Sequence, residues 1–251
     1  MKRFLKSEIL FILKNPATYL CVLGVTAAMF FSLESSGVAS TVLETYLSSK
    51  ILSGYILAYP CAAAVYGTVF FNEAEHKFYN YIMVRETRRE YVRVRVLTIY
   101  FSAVVSVIGG ILIFCGILRT RLPWIFQDSS AYRVISTGTF GFLVTSEHFC
   151  LYILCNAFYM GLFAGILSLA ASYLSLFIQN RIIILCAPVL LLQLLFIFAG
   201  SFSIPALFEM ITGVTGSFWL NVTVPMLIAV LFVLLSLNLF EKTWERRILE
   251  G

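Results

Sequence analysis

Residues 149–180 read FCLYILCNAFYMGLFAGILSLAASYLSLFIQN and contain no Asp, Glu, Lys, Arg or His. A helix needs about 20 largely apolar residues to cross the roughly 30 Å hydrocarbon core of a bilayer. Six intervals of the chain lack all five residue types over 19 residues or more: Asn15–Leu33, Ile51–Asn72, Val96–Leu118, Phe149–Asn180, Ile182–Phe208 and Met210–Phe240. These runs are continuously apolar, whereas the strands of a membrane barrel alternate apolar and polar residues. We therefore predict an all-α polytopic membrane protein with six transmembrane helices.

The composition excludes several classes of protein. Of the 251 residues, 60% are hydrophobic and 12% are charged, and the mean hydropathy is +0.92. A soluble domain carries about 25% charged residues, so this chain lacks the polar surface that a water-soluble globule needs. The composition also excludes a disordered segment and a secreted disulfide scaffold. The net charge of +5 is modest for a nucleic-acid-binding protein. We expect a single transmembrane domain over residues 1–251 that contacts lipid and binds no nucleic acid.

The positions of Lys and Arg predict the orientation, because cytoplasmic loops carry an excess of these residues. Of the 18 basic residues, fourteen fall on one side of the predicted spans and four on the other. The richer side receives Lys2, Arg3, Lys6, Lys14, Lys77, Arg85, Arg88, Arg89, Arg93, Arg95, Arg181, Lys242, Arg246 and Arg247, and the poorer side Lys50, Arg119, Arg121 and Arg133. Both termini are thus predicted to be cytoplasmic, in agreement with an even number of spans, and the expected location is the plasma membrane.

The first 15 residues have the pattern of an amphipathic helix lying in the membrane interface. Leu5, Ile9 and Ile12 recur at helical spacing, and the lysines and the arginine of this segment lie opposite them. Asn15-Pro16 then breaks the helix, because proline lacks an amide donor and restricts its predecessor. The charged start followed by a full span also argues against a cleavable signal peptide. The alternative is an ordinary positively charged membrane anchor.

Residues 72–95, NEAEHKFYNYIMVRETRREYVRVR, form the main predicted cytoplasmic segment. They begin acidic, continue aromatic and end basic, and they exceed the 2–8 residues that helix connections usually need. Such a segment suits a short helix presented to a partner, with aromatic contact area and charges that fix the register. The alternative is a solvated loop whose arginines only reflect topology.

Two further features lie between the predicted spans. Residues 119–148 form an external loop with Pro123-Trp124 and Tyr132, which place aromatic side chains at the headgroup level. Residues 199–219 carry glycines and a proline around Glu209 and predict a helix that breaks near the outer surface. Glu209 is a candidate contact for a substrate or an external gate, and a solvent-facing loop carboxylate is the alternative.

The chemistry-bearing residues do not form a catalytic pattern. The predicted spans lack ionisable groups, which ion-driven transporters usually place at membrane depth. The two histidines, His76 and His148, lie in or beside loops, and no H-E-x-x-H or P-loop motif occurs. The six cysteines lie in or at the edge of apolar runs without a C-x-x-C pair and are interpreted as small buried apolar residues. We expect no catalytic residue, no metal and no cofactor bound directly by this chain.

The order of these parts resembles the membrane subunit of an ABC-2-type ABC transporter. The resemblance rests on the entry segment KRFLKSEILFILKNP (2–16), the six spans, the charged loop FFNEAEHKFYNYIMVRETRREYVRVRV (70–96) and the broken region between spans five and six. It implies a permease that works as a dimer, with a second copy or a related chain, together with separate ATPase subunits that bind ATP and magnesium, usually in export. It also implies that residues of the charged loop form a coupling helix seated in the ATPase and that Arg181 marks a second, smaller contact. The loop residues so implied are Glu73, Glu75, Lys77, Phe78, Tyr79, Arg85, Arg88 and Arg89.

Three functions are compatible with the sequence. The first is an ABC permease subunit for a hydrophobic or amphipathic cargo, such as a peptide or a lipid-like compound, since 23 Phe and 13 Tyr favour a greasy pathway. In that case Pro60, Pro188 and Pro225, which fall inside predicted spans, are candidates for gating kinks. The second is a non-transporting membrane scaffold or assembly factor that recruits a cytoplasmic partner through the same loop. The third, an intramembrane enzyme, is disfavoured by the missing catalytic groups.

Overall fold

The computed structural model describes residues 14–33, 39–51, 56–64, 66, 88–178, 180–199, 208 and 217–250. Within these residues every regular element is a helix, which confirms the predicted all-α class. The helices are α1 Pro16–Leu33, α2 Val42–Ile51, α3 Ala58–Ala63, α4 Arg88–Arg119, α5 Ser130–Ser136, α6 Gly141–Thr145, α7 Phe149–Leu174, α8 Arg181–Ala199 and α9 Phe218–Glu250.

Four of these helices are long and apolar enough to cross a membrane: Pro16–Leu33, Arg89–Arg119, Phe149–Leu174 and Phe218–Thr243. They correspond to predicted spans one, three, four and six, so the chain is a membrane-embedded helical bundle. For predicted span five, the apolar stretch found in α8 is shorter, Ile182–Leu195. Predicted span two is described only in part, through α3 and its neighbours, and predicted interfacial residues 1–13 lie outside the described residues.

Asparagine caps begin two of the helices. The Asn15 side-chain oxygen accepts a hydrogen bond from the Ala17 amide at 3.0 Å, and Pro16 takes the first helical position, where its missing amide costs nothing. A new helix therefore starts at the predicted Asn15-Pro16 break. The Asn180 side-chain oxygen accepts from the Ile182 amide in the same way, at 3.0 Å, and starts α8.

Among the described helices, α4 and α7 share the most extensive contact, and glycines allow their close approach. A Cβ atom at Gly165 would lie 2.5 Å from the ring of Tyr100, and one at Gly161 would lie 3.1 Å from the carbonyl oxygen of Val104. Small residues four apart let two membrane helices approach to backbone distance, where van der Waals contact and not the hydrophobic effect holds them. α7 is accordingly the central helix, with 72% of its apolar window buried.

α1 packs on a different part of α4. The hydroxyl of Thr26 donates to the Gly110 carbonyl at 3.1 Å, and a Cβ atom at Gly110 would lie 2.5 Å from Val25. Farther along both helices, the rings of Phe30 and Phe114 meet edge to face with centroids 4.8 Å apart. Residues farther along α1 therefore contact residues farther along α4, so the two helices run parallel. α7 runs antiparallel to α4, since the partner of Gly161 is Val104 and that of Gly165 is Tyr100.

The helices bring chain segments together at two ends of the bundle. We call the end that holds Arg88–Arg95, the end of α7 and the part of α9 from Glu241 onward the basic end. The opposite end, which holds residues 119–148 and the start of α2, is the loop end. Because α1 is parallel to α4, its start is its nearer terminus to the basic end. α9 lies at the edge of the bundle, with only 22% of its apolar window buried.

Candidate functional site

Most of the predicted coupling residues fall outside the described part of the chain. These are Glu73, Glu75, Lys77, Phe78, Tyr79 and Arg85, and the same holds for the candidate gate residue Glu209. Arg88 is the first residue of α4 and Arg181 is the first residue of α8, while the side chain of Arg89 is exposed. The last eight residues of the predicted 72–95 segment therefore form the first two turns of α4.

An ion pair joins α4 to α9 at the basic end. Arg93 Nε lies 3.0 Å from Glu241 Oε1, and the two side chains are 51% and 20% exposed. An exposed pair of this kind contributes about 0–1 kcal/mol to stability. The pair instead holds Arg93 of α4 and Glu241 of α9 at the same level of the bundle.

Aromatic and hydroxyl contacts support the same end. Arg95 lies over the ring of Tyr91, with its guanidinium carbon 5.6 Å from the ring centroid, and Tyr91 is only 4% exposed. The Tyr173 hydroxyl lies 3.1 Å from the Thr243 hydroxyl and links α7 to α9. Three helices are thus cross-connected where the predicted partner-binding segment enters α4.

The exposed charge at the basic end is mainly positive. The side chains of Arg89, Arg93 and Lys242 are exposed, and the acidic side chains of Glu90 and Glu241 are half-buried. Such a surface attracts acidic partners or anionic lipid headgroups. The described part of the basic end therefore has the charge that such contacts require.

The loop end contains a helix that the sequence analysis missed. Residues 34–50 separate predicted spans one and two, so the sequence predicts only a connection there, yet Val42–Ile51 form α2, and none of its described side chains is exposed. Thr41 caps it by accepting from the Glu44 amide at 3.3 Å. The carbonyls of Pro123 and Trp124 accept the Val42 and Leu43 amides at 2.9 and 3.1 Å. The T-x-x-E spacing of Thr41 and Glu44 is a capping-box signature that could have revealed this helix.

α2 carries a buried cation. The side chain of Lys50 is 5% exposed, and its ammonium lies 4.5 Å from the centroid of the Tyr46 ring. The face of an aromatic ring attracts a cation. Lys50 also lies in the last turn of α2, where the helix dipole favours positive charge. Counting Lys50 as an external residue was consistent with its end of the bundle, but nothing in the charge count indicated that it is buried.

The predicted aromatic residues of the external loop pack on the bundle. Trp124 stacks on Phe149 with centroids 5.8 Å apart, and the Arg119 guanidinium carbon lies 5.2 Å from the Trp124 centroid. The Ser129 side chain accepts from the Tyr132 amide at 3.2 Å and starts α5. Residues 119–148 are therefore a structured cover and not an open loop.

Metal-ligating residues do not cluster in the part of the chain that the structure describes. No group of three or more His, Cys, Asp or Glu side chains there is placed to hold a metal ion. The six cysteines, all within the described residues, are free thiols. Cys21 and Cys115 are buried and Cys61 and Cys155 are half-buried, but Cys150 and Cys186 are exposed, so the prediction of six buried cysteines is wrong for these two.

The chain matches no protein-family model. No curated protein and no solved structure matches it either. Any functional assignment therefore rests on the residues and their arrangement.

Proposed function

We propose that this chain is the membrane-spanning permease subunit of an ATP-driven exporter of the ABC-2 type, in the plasma membrane. It pairs with a second copy or a related chain and with separate ATPase subunits that bind and hydrolyse ATP. The cargo is a hydrophobic or amphipathic compound such as a peptide or a lipid-like molecule. Residues 73–79, with Arg85, Arg88 and Arg89, contact the ATPase, and Arg181 marks a smaller second contact.

The observation that carries this proposal is the course of α4. It begins at Arg88, within the charged segment 72–95, and continues for 32 residues to Arg119 at the loop end. At 1.5 Å per residue this is about 48 Å, longer than the hydrocarbon core. The helix contains no proline. One continuous helix can therefore transmit a displacement of the charged segment to the other end of the bundle.

The packing of α4 supports the same proposal. α4 contacts α1 through Gly110 and α7 through Tyr100, and it is tied to α9 by the Arg93–Glu241 pair. A movement of α4 must therefore change its packing against three neighbours. Tightly packed helices change position between discrete arrangements more readily than by continuous deformation. This is the behaviour that alternating access to a cargo pathway requires.

The proposed topology has six spans with both termini in the cytoplasm. α8 adds 19 residues, about 28 Å of helix, which is close to the thickness of the hydrocarbon core. Residues 51–72, which include α3, supply the second span. The basic end is assigned to the cytoplasm because fourteen of the 18 basic residues fall on that side.

The first test is capture of an ATPase. We expect that replacing residues 73–79 with a Gly/Ser stretch leaves membrane insertion unchanged and abolishes co-purification of a P-loop ATPase, identified by mass spectrometry. Glu73→Lys combined with Glu75→Lys should weaken capture, because the acidic start of the segment is reversed. Asp128→Lys is the matched control, since Asp128 is an exposed carboxylate at the loop end. Unchanged capture after replacement of 73–79 would contradict the coupling assignment.

The second test asks which subunit hydrolyses ATP. We expect the purified chain alone to hydrolyse no ATP, and the complex with the captured ATPase to hydrolyse ATP faster when cargo is present. Turnover by the isolated chain, free of contaminating ATPase, would overturn the assignment. A complex that hydrolyses ATP without moving any compound across vesicles would favour the scaffold function instead.

A further inference from the structure

An apolar groove runs along the membrane-facing side of the bundle between α4, α7 and α9. It encloses a cavity of about 350 Å³. Its walls are entirely apolar and include Leu97 and Phe101 from α4, Leu162 from α7, and Met226, Ala229 and Leu234 from α9. Phe101 and Leu234 are 54% and 53% exposed, so the groove opens toward the surrounding lipid.

The α4 wall of this groove continues into arginines. Arg89, Arg93, Leu97 and Phe101 follow one another at four-residue spacing, which places them along one face of the helix. Both arginine side chains are exposed, and the Arg93 guanidinium forms the bridge to Glu241 on α9. The groove is therefore apolar along its length and cationic at the basic end.

The dimensions fit one leaflet of a bilayer. On α9 the lining residues extend from Met226 to Leu234, about 12 Å of helix, and Glu241 lies about 10 Å farther along the same helix. Half of the hydrocarbon core is about 15 Å thick. An acyl chain that starts in the headgroup region at Arg93 thus reaches the bilayer centre within the groove.

We infer that this groove binds an anionic phospholipid of the leaflet at the basic end, with one acyl chain between α4, α7 and α9 and the phosphate at the Arg93 guanidinium. The cationic mouth selects an anionic lipid over a zwitterionic one, because each Lys or Arg near an anionic surface adds to the attraction. Glu241 competes with the phosphate for the same guanidinium. The inference is independent of the proposed transport function.

Two variants that break the same ion pair test the headgroup contact. The full-length protein is placed in nanodiscs of phosphatidylcholine and phosphatidylglycerol at three to one, and lipids retained after release into detergent are counted by native mass spectrometry. We expect wild type to retain phosphatidylglycerol preferentially. Arg93→Gln should reduce this preference about fivefold, the effect of removing one cation from an anionic headgroup. Glu241→Gln also loses the ion pair but frees the arginine, so the preference should be equal or higher.

The acyl-chain contact is tested separately. Ala229 is 3% exposed at the base of the groove, so Ala229→Trp should fill it and lower retention of both lipids. Leu227→Trp is the matched control, because Leu227 is 57% exposed on α9 and does not line the groove. The inference is overturned by equal retention of the two lipids in wild type, by equal losses in Arg93→Gln and Glu241→Gln, or by unchanged retention in Ala229→Trp.

Discussion

Replacing Gly165 with leucine should separate α4 from α7 and destabilise the bundle by about 3 kcal/mol or more, at the upper end of overpacking costs. Even a Cβ atom at this position would lie 2.5 Å from the Tyr100 ring, and Tyr100 is 6% exposed, so the ring must leave its packed position before leucine fits. The measurement is the midpoint of thermal unfolding of the purified protein in detergent, together with its elution profile on size exclusion.

Gly116→Leu is the matched control for this variant. Gly116 lies on α4, and a Cβ atom there would meet nothing within 4 Å. We expect its unfolding midpoint to stay close to that of wild type. Tyr100→Ala should partly restore Gly165→Leu, because it opens the space that leucine needs and residues in contact do not act additively. Equal midpoints for Gly165→Leu and Gly116→Leu would show that α4 and α7 do not pack through this glycine.

Reversing the charge at Lys50 should cost about 3–5 kcal/mol, the range measured when a buried charge loses its compensation. In Lys50→Glu a carboxylate would face the negative face of the Tyr46 ring and the negative end of the α2 dipole. The side chain is 5% exposed, so water cannot offset these repulsions. Thermal unfolding in detergent again provides the measurement.

Arg121→Glu is the control for the reversal at Lys50. Arg121 is exposed at the same end of the bundle, and exposed substitutions usually change stability by less than about 0.5 kcal/mol. Lys50→Arg, which keeps the positive charge near the ring, should lie between wild type and Lys50→Glu. If Lys50→Glu unfolds at the temperature of Arg121→Glu, the ammonium of Lys50 is hydrated and not buried.

Four of the six charge-free intervals correspond to described helices long enough to cross a membrane, but the intervals did not predict where those helices end. Span one was predicted over 15–33 and α1 is Pro16–Leu33, because Asn15-Pro16 supplies a local start signal. Span three was predicted over 96–118, whereas α4 runs from Arg88 to Arg119. Charged residues mark the edge of the hydrocarbon and not the end of a helix, since a helix can continue into water and carry arginines on its surface.

The polar α2 and its buried lysine show what the charge pattern could not predict. A lysine in a polar interval is counted as solvent-exposed, although its burial depends on how α2 packs on other helices, as where the Ser32 hydroxyl of α1 donates to the Ser49 carbonyl. The close packing at Gly165 was missed for a similar reason, since its significance depends on Tyr100, sixty-five residues earlier. The clustering of basic residues at the basic end was accessible to prediction because runs of like charge near a span report topology directly, whereas the role of this end in binding a partner stays a prediction. The Arg93–Glu241 pair could not be predicted in this way, because its two residues lie 148 positions apart in the sequence.

The capping of α2 provides a built-in reporter of motion. The Val42 and Leu43 amides are held by the carbonyls of Pro123 and Trp124, about eighty residues later in the chain. Their exchange with deuterated water is therefore slow only while the two segments stay together. Faster exchange at these two amides, without faster exchange in the rest of α2, would signal that the cover formed by residues 119–148 has lifted.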